Sequence, residues 1–526
     1  MVENKVYSLP IHSNSFSNVE AIQSLLISML AERLEREPGE IDIYKDFSDY
    51  SISSLEAINL SANLEKILNH KFSPTLFWDY SNINTLSLYL AEQMNVSESI
   101  SELSADKEPN NSLIENTKYV EILPEYYNFE FYPKYLQLEQ QLAEIEALGT
   151  TNPFFTVHDG VAKDTTIVDQ RKLINYSTYN YLGMSGDSTI SKAAKQAIDY
   201  YGTSVSASRI SSGEKLLHLE LEKEIADLIG TEDCIVYVGG HATNVATISH
   251  LFGRDDLIVY DLLDHNSILE GCLLSGATMI AFPHNEWQAL DKILYEHRHN
   301  YKRVLVVIEG VYSADGDIPN LPKFIEVKKR HKAFLMVDEA HSIGVLGKQG
   351  RGIGEYFAID PIDVDLWMGT LSKSFASCGG YIAGCKALVK YLKYTAPGFV
   401  YSVGISPPNA GAALAAIRLL KAQPERVSCL QQRAKLFLEL AKERGLNTGM
   451  SGDSAIVSII LGKSLQSIQL AEALFNRDIN VQPMFYPSVP ENAARLRFFI
   501  SCNHTEEQIH FTVDTLVEEW TKIKSK

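Results

Sequence analysis

Hydrophobic residues recur with helical spacing near the start of the chain. The first such run covers residues 19–35 and is ended by Pro38 and Gly39. The same spacing returns over residues 55–68 and 83–94. The pattern predicts a small bundle of helices at residues 19–96.

Farther along the chain, short apolar runs alternate with stretches of helical spacing. This alternation is typical of an α/β domain with a mostly parallel central sheet, which we place at residues 190–420. A long helix, two strands and a terminal helix then predict a smaller α+β domain at residues 421–526. The strand candidates are residues 234–238, 257–260, 304–308, 334–337, 455–461 and 495–500, and the long helix covers 424–444.

A polar stretch separates the two regions. Residues 97–117 are rich in Ser, Glu, Asn and Asp and poor in large apolar side chains, a composition that does not support a packed core. We therefore predict a flexible linker over residues 97–126, followed by a second module over residues 127–526.

The net charge of the chain limits the kinds of molecule that it can bind. The 526 residues carry a formal net charge of −19, which argues against a nucleic-acid or anionic-membrane surface and leaves room for a cationic partner. The acid excess is uneven, because residues 20–98 contain 13 Asp and Glu against 5 Lys and Arg. The helical region is therefore predicted to be a separate acidic module.

The cysteine pattern and the hydropathy of the chain indicate the cellular compartment of the protein. The six cysteines are scattered without C-x-x-C spacing, so we expect neither a disulfide framework nor a metal site. We recognise no signal-peptide pattern and no apolar run long enough to span a bilayer. These features predict a cytoplasmic protein without a membrane span.

Two motifs contain the residues that a pyridoxal 5'-phosphate enzyme needs. Lys373 lies among small residues in the run 368–380, and Asp338 and His341 lie in the run 336–342. The aldehyde of the cofactor needs an amine to bind it, and its pyridine nitrogen needs a carboxylate to stay protonated and draw electrons. We assign the first task to Lys373 and the second to Asp338.

The N-terminal region resembles an acyl carrier protein of the polyketide-synthase kind. The resemblance rests on residues 41–65 and 72–80 and implies a four-helix bundle. In that family a serine at the start of the second helix carries a 4'-phosphopantetheine arm, and Ser54 matches it. Ser53 stands where the family usually has Asp, and Ser53 with Glu56 fits a capping box. The alternative is a bundle whose serines only cap a helix.

From residue 127 to the C-terminus the chain resembles the α-oxoamine synthases. These pyridoxal phosphate enzymes join an amino acid to an acyl thioester with loss of carbon dioxide. The likeness implies a type I pyridoxal phosphate fold with a mostly parallel sheet. The matching motifs cover residues 180–183, 202–209, 239–244, 264–267, 311–316, 336–342, 368–380, 401–402 and 495–497.

The resemblance assigns residues to the cofactor phosphate. Gly240 and His241 begin a helix after a strand, where backbone N–H groups and the helix dipole favour an anion. Thr370 matches a hydroxyl that also binds the phosphate. Ser402 matches the residue that reaches the phosphate from the neighbouring subunit, which implies a homodimer.

The same resemblance assigns the catalytic residues. His265 matches the histidine that stacks on the pyridine ring. His341 and Ser313 match residues that bond near the phenolic oxygen of the cofactor. Lys373 matches the lysine that holds the cofactor and later acts as the base.

Two residues are assigned to the amino acid. Arg497 matches the arginine that binds its carboxylate, a task suited to a planar, bidentate donor. Arg495 lies two positions away on the same face of a strand, so residue spacing leaves both arginines open. Asn180 is the second predicted substrate-binding residue. Serines replace several glycines of the 202–209 motif, and we expect them to narrow or polarise the channel.

These assignments predict a decarboxylative condensation. Glycine, serine or alanine would react with an acyl thioester carried on the chain's own carrier domain, giving an α-amino ketone. The expected partners are a phosphopantetheinyl transferase and an acyl-loading enzyme. Residue patterns leave open which amino acid and acyl chain are used, and whether the carrier serves its own or the neighbouring site.

Three other functions compete with this prediction. The first is a synthase that uses acyl-CoA beside a non-functional carrier bundle, which Ser53 favours. The second is a non-catalytic scaffold, and the third is an aminotransferase of the same fold. Joint retention of Lys373, Asp338, His341, His265 and Arg497 argues against the scaffold.

Overall fold

The structure is a computed structural model that describes residues 19–33, 36–50, 60–61, 64, 67–68, 70, 76–80, 82–102, 122–147, 152–486 and 488–525. By its contacts the chain divides into two compact units, Met1–Glu139 and Gln140–Lys526. Each unit has a hydrophobic core of its own.

The N-terminal unit is helical. Its core includes Ile22, Leu26 and Leu30, which recur every four residues and are at most 1% exposed. The predicted helix at 55–68 lies largely outside the described residues, although those described at 60–61, 64 and 67–68 are helical. The helices with full bounds are α1 (Val19–Arg33), α2 (Leu76–Asp79) and α3 (Ile83–Glu102).

Helix α3 is longer than its spacing predicts. We expected it to end at Met94, but it continues to Glu102, inside the predicted linker. Residues 95–102 contain neither Gly nor Pro, so nothing in the local sequence stops the helix.

A seven-stranded sheet forms the centre of the second unit, in the order β3-β9-β8-β7-β6-β4-β5. Only β9 runs antiparallel to its neighbours, so the predicted α/β class and mostly parallel sheet are confirmed. Every residue of β6 is buried, as expected for a strand covered on both faces. The strands are β3 (Asp233–Tyr237), β4 (Leu257–Asp261), β5 (Thr278–Phe282), β6 (Val304–Glu309), β7 (Phe334–Asp338), β8 (Leu366–Thr370) and β9 (Gly380–Gly384).

Helices follow most of these strands, as right-handed βα crossovers require. Residues 209–213 form a single π turn. The helices of the second module are α4 (Pro133–Ala147), α5 (Ser188–Tyr201), α6 (Leu216–Ile229), α7 (Gly240–Leu251), α8 (Asn266–Ser275), α9 (Trp287–His297), α10 (Leu321–His331), α11 (Ile353–Tyr356), α12 (Lys386–Thr395), α13 (Pro397–Val400), α14 (Pro407–Ala422), α15 (Glu425–Glu443), α16 (Ser464–Asn476) and α17 (Glu506–Lys524).

Two small sheets complete the second unit. One is antiparallel, in the order β10-β13-β12, and the other joins β1 and β2 to β11 from the C-terminal region. A segment that precedes the large sheet in the chain therefore belongs structurally with the C-terminal part. The strands are β1 (Thr165–Val168), β2 (Arg171–Asn175), β10 (Ile456–Gly462), β11 (Ile479–Asn480), β12 (Gln482–Met484) and β13 (Ala494–Phe499).

The parallel strands place polar residues at one edge of the large sheet. Asp261, Glu309, Asp338 and Thr370 are the last residues of β4, β6, β7 and β8. Carboxyl ends of parallel strands are where open α/β sheets bind ligands. Within the described ranges, no helix has the length and apolar character to cross a membrane, and no cluster of His, Cys, Asp and Glu could hold a metal ion.

Candidate active site

Lys373 lies in the loop after β8. Its side chain is half-buried, and its Nζ lies 5.7 Å from the centroid of the Tyr179 ring. Burial lowers the pKa of Lys373 to about 8, although the charges of Asp338 and Glu309 oppose this shift. About half of the amine is therefore unprotonated at about pH 8, and only that form attacks an aldehyde.

Asp338 and Glu309 are paired in register at the ends of β7 and β6. Asp338 is buried and accepts hydrogen bonds from Asn244 Nδ2 at 2.8 Å and from the Ala340 N–H at 2.9 Å. Glu309 accepts a hydrogen bond from the backbone N–H of His265 at 2.7 Å. Burial raises the pKa of Glu309 well above its usual value, and the charge of Asp338 raises it further. Burial and the charge of Asp338 therefore both favour the protonated form of Glu309.

His265 is the N-cap residue of α8. Its Nδ1 lies 2.8 Å from Ser267 Oγ and accepts a hydrogen bond from the Ser267 N–H at 3.2 Å. Desolvation lowers the pKa of His265, while the charge of Asp338 opposes the shift. The residue is nonetheless more than a third exposed. A neutral imidazole with an exposed face can lie flat against a pyridine ring.

His341 is buried among aromatic side chains. Its Nδ1 lies 2.8 Å from the Tyr181 hydroxyl, and its ring is stacked on Phe499 with centroids 6.3 Å apart. Burial lowers the pKa of His341 well below its usual value, and the charges of Lys373 and Arg497 lower it further. Burial also raises the pKa of the Tyr181 hydroxyl. The contact with this hydroxyl occupies Nδ1 of His341, so Nε2 is the ring nitrogen that is left to face a ligand.

The structure distinguishes the two arginines of β13. Arg495 is buried and forms an ion pair with Asp315, with Nη1 and Oδ1 2.5 Å apart. Arg497 donates from Nη1 to the Ser313 carbonyl at 2.9 Å and lies over the Phe499 ring, and within the described part of the chain it has no carboxylate partner. Arg497 therefore has the charge that a substrate carboxylate can neutralise.

The start of α7 provides an open position for a phosphate. N–H groups in the first turn of a helix have no intrahelical acceptor, and a Cβ added at Gly239 would meet nothing within 4 Å. Thr370 closes the other side, since a Cβ at Gly240 would lie 3.0 Å from its Oγ1. A Cβ at Gly380 would lie 2.8 Å from the Gly240 Cα, so these glycines allow the close approach. Together with Lys373 and Asp338, this cradle fits pyridoxal phosphate.

The other predicted residues have side chains bonded elsewhere, contact the site by backbone or lie outside the described residues. His241 is exposed, with Nε2 3.4 Å from Glu270 Oε2. Asn180 is buried and uses its side chain on backbone, donating to the Ala162 carbonyl and accepting from the Ser185 N–H. Ser313 contacts the site through its backbone carbonyl, which accepts the hydrogen bond from Arg497. Ser402 is half-buried, and Ser54 lies outside the described residues.

Several site residues were missed from the sequence. Glu309 was excluded when the predicted strand was ended at residue 308. Tyr181 belongs to the 180–183 motif and Tyr179 directly precedes it, but their contacts with His341 and Lys373 arise only in the fold. An acidic residue directly after a buried apolar strand was the available signal for Glu309.

Two family models match the chain. Residues 171–516 match the model for aminotransferase class I and II, and residues 24–90 match the model for a phosphopantetheine attachment site. The first match covers the residues from β2 to the terminal helix. The second covers the helical N-terminal region that includes Ser54.

Known proteins resemble the second module. An 8-amino-7-oxononanoate synthase of Fervidobacterium nodosum is 38% identical over 66% of this chain and 88% of its own length. Serine palmitoyltransferase 3 of Homo sapiens is 33% identical over 78% of each chain. A serine palmitoyltransferase from Sphingomonas wittichii matches with a TM-score of 0.71 and 31% identity, covering 76% of this chain and 98% of its own. One from S. paucimobilis, solved with a bound pyridoxal phosphate–myriocin adduct, matches with a TM-score of 0.72 and 29% identity over 75% and 99% of the chains.

The lowered pKa of Lys373 predicts how the protein takes up its cofactor. The rate at which apoprotein captures pyridoxal 5'-phosphate rises with pH through a midpoint near 8, because only the unprotonated amine attacks the aldehyde. Stopped-flow absorbance measures this rate at a series of pH values. Lys373→Ala is the control without an amine. A midpoint near the usual lysine pKa of about 10.4 would contradict the prediction.

Replacing Arg497 by alanine is expected to impair amino-acid binding, whereas replacing Arg495 by alanine is expected to reduce stability. Arg497→Ala raises the KM for the amino acid on the order of 100-fold, because a charge-assisted pair with the carboxylate is lost, and leaves the melting temperature nearly unchanged. Arg495→Ala leaves Asp315 as an unpaired buried charge and lowers the free energy of unfolding by about 3 kcal/mol. Steady-state kinetics and thermal unfolding of both variants measure the contrast. Equal effects on KM and stability would refute it.

Proposed function

Because the chain belongs to the class I and II aminotransferase family and is a pyridoxal phosphate-dependent α-oxoamine synthase, we propose that it takes its acyl thioester from its own N-terminal carrier domain. The amino acid is glycine, serine or alanine. Condensation with loss of carbon dioxide and release of the carrier thiol gives an α-amino ketone.

One observation carries this proposal. A phosphopantetheine attachment domain at residues 24–90 and a synthase module at 171–516 occur in one polypeptide. Tethering turns a bimolecular encounter into a local one, with effective concentrations in the millimolar range for short flexible linkers. We assign the carrier to residues 19–96, the linker to 97–126, whose first six residues continue helix α3, and the catalytic module to 127–526.

Arg497 and Lys373 handle the amino acid. Arg497 binds the carboxylate, since its guanidinium has no acidic partner among the described residues. Lys373 removes the α-proton and later returns it, a role that suits an amine with a pKa of about 8. Pyridoxal phosphate, when bound, supplies an aldehyde for the amino group and a ring that draws electrons from the α-carbon. The electron pair left on that carbon forms the new bond to the thioester carbonyl.

The remaining side chains hold the cofactor in position. Asp338 would pair with the pyridine nitrogen, and His265 would cover the ring. His341, whose Nδ1 contacts Tyr181, would bond the phenolic oxygen through Nε2. The first turn of α7 and the Thr370 hydroxyl would bind the phosphate. The proposal includes a homodimer in which Ser402, next to the exposed Tyr401, would reach the phosphate of the second subunit.

Ser53 favours a second source of the acyl group, acyl-CoA. Ser53 occupies the position where carrier domains usually have Asp. The phosphopantetheinyl transferase recognises its carrier partly through that residue. If that enzyme does not modify Ser54, the synthase module takes acyl-CoA and the N-terminal domain is inactive as a carrier. The condensation itself is the same in both cases.

Ser54→Ala decides between the two substrate sources. Co-expression with a phosphopantetheinyl transferase adds the mass of one arm to the unmutated chain, and intact-protein mass spectrometry detects it. Ser54→Ala gains no arm, while Ser53→Ala, the neighbouring control, still gains one. Absence of the arm from the unmutated chain refutes carrier delivery and leaves the acyl-CoA route.

The condensation is tested on the loaded protein. Acylated carrier protein is mixed with glycine, serine or alanine, and released carbon dioxide and product mass are measured. One amino acid is expected to give stoichiometric carbon dioxide and an α-amino ketone, and Lys373→Ala gives neither. Transfer of an amino group without carbon dioxide would instead identify an aminotransferase.

A further inference from the structure

The loop after β6, from Tyr312 to Asp317, connects the large sheet to the small C-terminal sheet. On the C-terminal side, Arg497 donates to the Ser313 carbonyl and Arg495 pairs with Asp315. Serine hydroxyls add three further hydrogen bonds to backbone carbonyls of this loop: Ser458 to Ala314 at 2.6 Å, Ser451 to Asp315 at 2.9 Å and Ser454 to Gly316 at 2.6 Å. The loop therefore sets the position of the strand that carries Arg497.

A histidine whose side chain is 12% exposed holds the other side of this loop. His284 lies after β5, with Nδ1 2.8 Å from Asp261 Oδ1 and Nε2 2.8 Å from Asp317 Oδ2. Asp261 is the last residue of β4, and Asp317 is the last residue of the loop. The ring of Tyr312 packs edge-on against His284 with centroids 4.4 Å apart. One imidazole thus joins the large sheet to both ends of the loop.

The backbone around His284 strengthens the same connection. Asn285 donates from its N–H to Asp261 at 2.8 Å and from Nδ2 to Asp317 at 2.5 Å. Within the loop, the Tyr312 N–H donates to the Asp317 carbonyl at 3.1 Å. Gly316 has φ +76, and a Cβ there would lie 2.3 Å from the Ile456 carbonyl oxygen. The loop is therefore closed on itself and fits tightly against β10.

The imidazole is charged in the folded protein. Burial alone lowers the pKa of His284, but hydrogen bonds to Asp261 and Asp317 outweigh it and raise the pKa to about 10. Both ring nitrogens then donate, so each carboxylate accepts one hydrogen bond from a cation. Loss of this ring would leave two buried carboxylates without their shared partner, which favours movement of the loop.

We propose that His284, held between Asp261 and Asp317, is a positioning residue that fixes Arg497 relative to Lys373 in the amino-acid site. None of the three contacts the cofactor cradle at the start of α7. The cluster acts through the Tyr312–Asp317 loop, whose Ser313 carbonyl orients the Arg497 guanidinium. The inference rests on the proposed role of Arg497 as the carboxylate ligand.

The inference is tested with His284→Gln in the holoprotein. Glutamine is neutral and reaches only one of the two carboxylates, so the loop loosens and Arg497 shifts. The KM for the amino acid is expected to rise on the order of tenfold, because small displacements of a positioning group are costly. The cofactor absorbance band and the affinity for pyridoxal phosphate stay unchanged. His331→Gln is the matched control, since it removes a histidine–aspartate pair of 2.7 Å with Asp291 far from this loop.

Two further measurements keep the test decisive if His284→Gln folds poorly. Asp317→Asn retains an acceptor for the imidazolium and should raise KM less. The double variant His284→Gln with Asp317→Asn should raise the KM for the amino acid no more than His284→Gln alone. Both substitutions act on the same contact, the one between His284 and Asp317. Hydrogen exchange needs no substrate, and it should show faster exchange at the Tyr312 amide in His284→Gln and no change in His331→Gln.

The stability of the cluster follows the charge of His284. Its folded pKa of about 10 lies above the usual histidine pKa of 6.5, so the stabilisation is complete below pH 6.5 and lost as pH rises through about 10. The ionisable neighbours that face it are Asp261, Asp317 and Tyr312. The difference in melting temperature between the unmutated protein and His284→Gln should therefore shrink between pH 6.5 and pH 10.

Three outcomes separate the hypotheses. Faster exchange with an unchanged KM would refute the positioning role and leave a structural one. If His284→Gln changes neither hydrogen exchange at the Tyr312 amide nor the KM, then His284 neither holds the loop nor positions Arg497. If none of the three amino acids perturbs the cofactor band of the unmutated protein, the proposed function fails, and the exchange data still decide whether His284 holds the loop.

Discussion

The register between β6 and β7 is the constraint on which the site depends. Parallel hydrogen bonding places Glu309 beside Asp338 at the end of two buried strands. Like charges on neighbouring buried residues are unfavourable, and burial together with the charge of Asp338 raises the pKa of Glu309 well above its usual value. The neighbouring strand β8 leads directly into the loop of Lys373. A shift of one residue in this register would separate these groups.

The second requirement is a fixed distance between the large sheet and the small C-terminal sheet. Lys373 and Asp338 belong to the first, whereas Arg497 belongs to the second. The loop from Tyr312 to Asp317 contacts both, through His284 on one side and through Arg495 on the other. Because Arg495 is neutralised by Asp315, Arg497 keeps its charge for an external carboxylate.

Under the proposed function, the carrier domain adds a different kind of specificity. A free thioester is selected by the contacts it makes at the site, whereas a tethered one is selected by which domain shares the polypeptide. The acidic N-terminal region and the synthase module have separate cores, so each can fold around its own apolar residues. A carrier and a synthase can then be combined without rebuilding the active site.

Much of the fold could be predicted from spacing alone. The strands that end in Tyr237, Asp261, Glu309 and Asp338 were located to within about one residue, because buried parallel strands are continuous apolar runs. Lys373 and Asp338 were identified from the chemistry of the cofactor. Helix α3 was placed correctly at its start but not at its end, since a polar stretch without Gly or Pro allows either helix or linker.

Only the tertiary structure decided the rest. Residue spacing put Arg495 and Arg497 on one face and could not rank them, because the ion pair of Arg495 with Asp315 joins residues far apart in the chain. Glu309, Tyr179 and Tyr181 gained their roles in the same way, through neighbours brought together by strand pairing. The sequence by itself determined the class of sheet and the presence of a phosphopantetheine attachment domain, and it predicted Lys373 as the cofactor lysine, because these depend on local patterns. Which charged groups are neutralised and which remain free depends on long-range contacts that no local pattern contains.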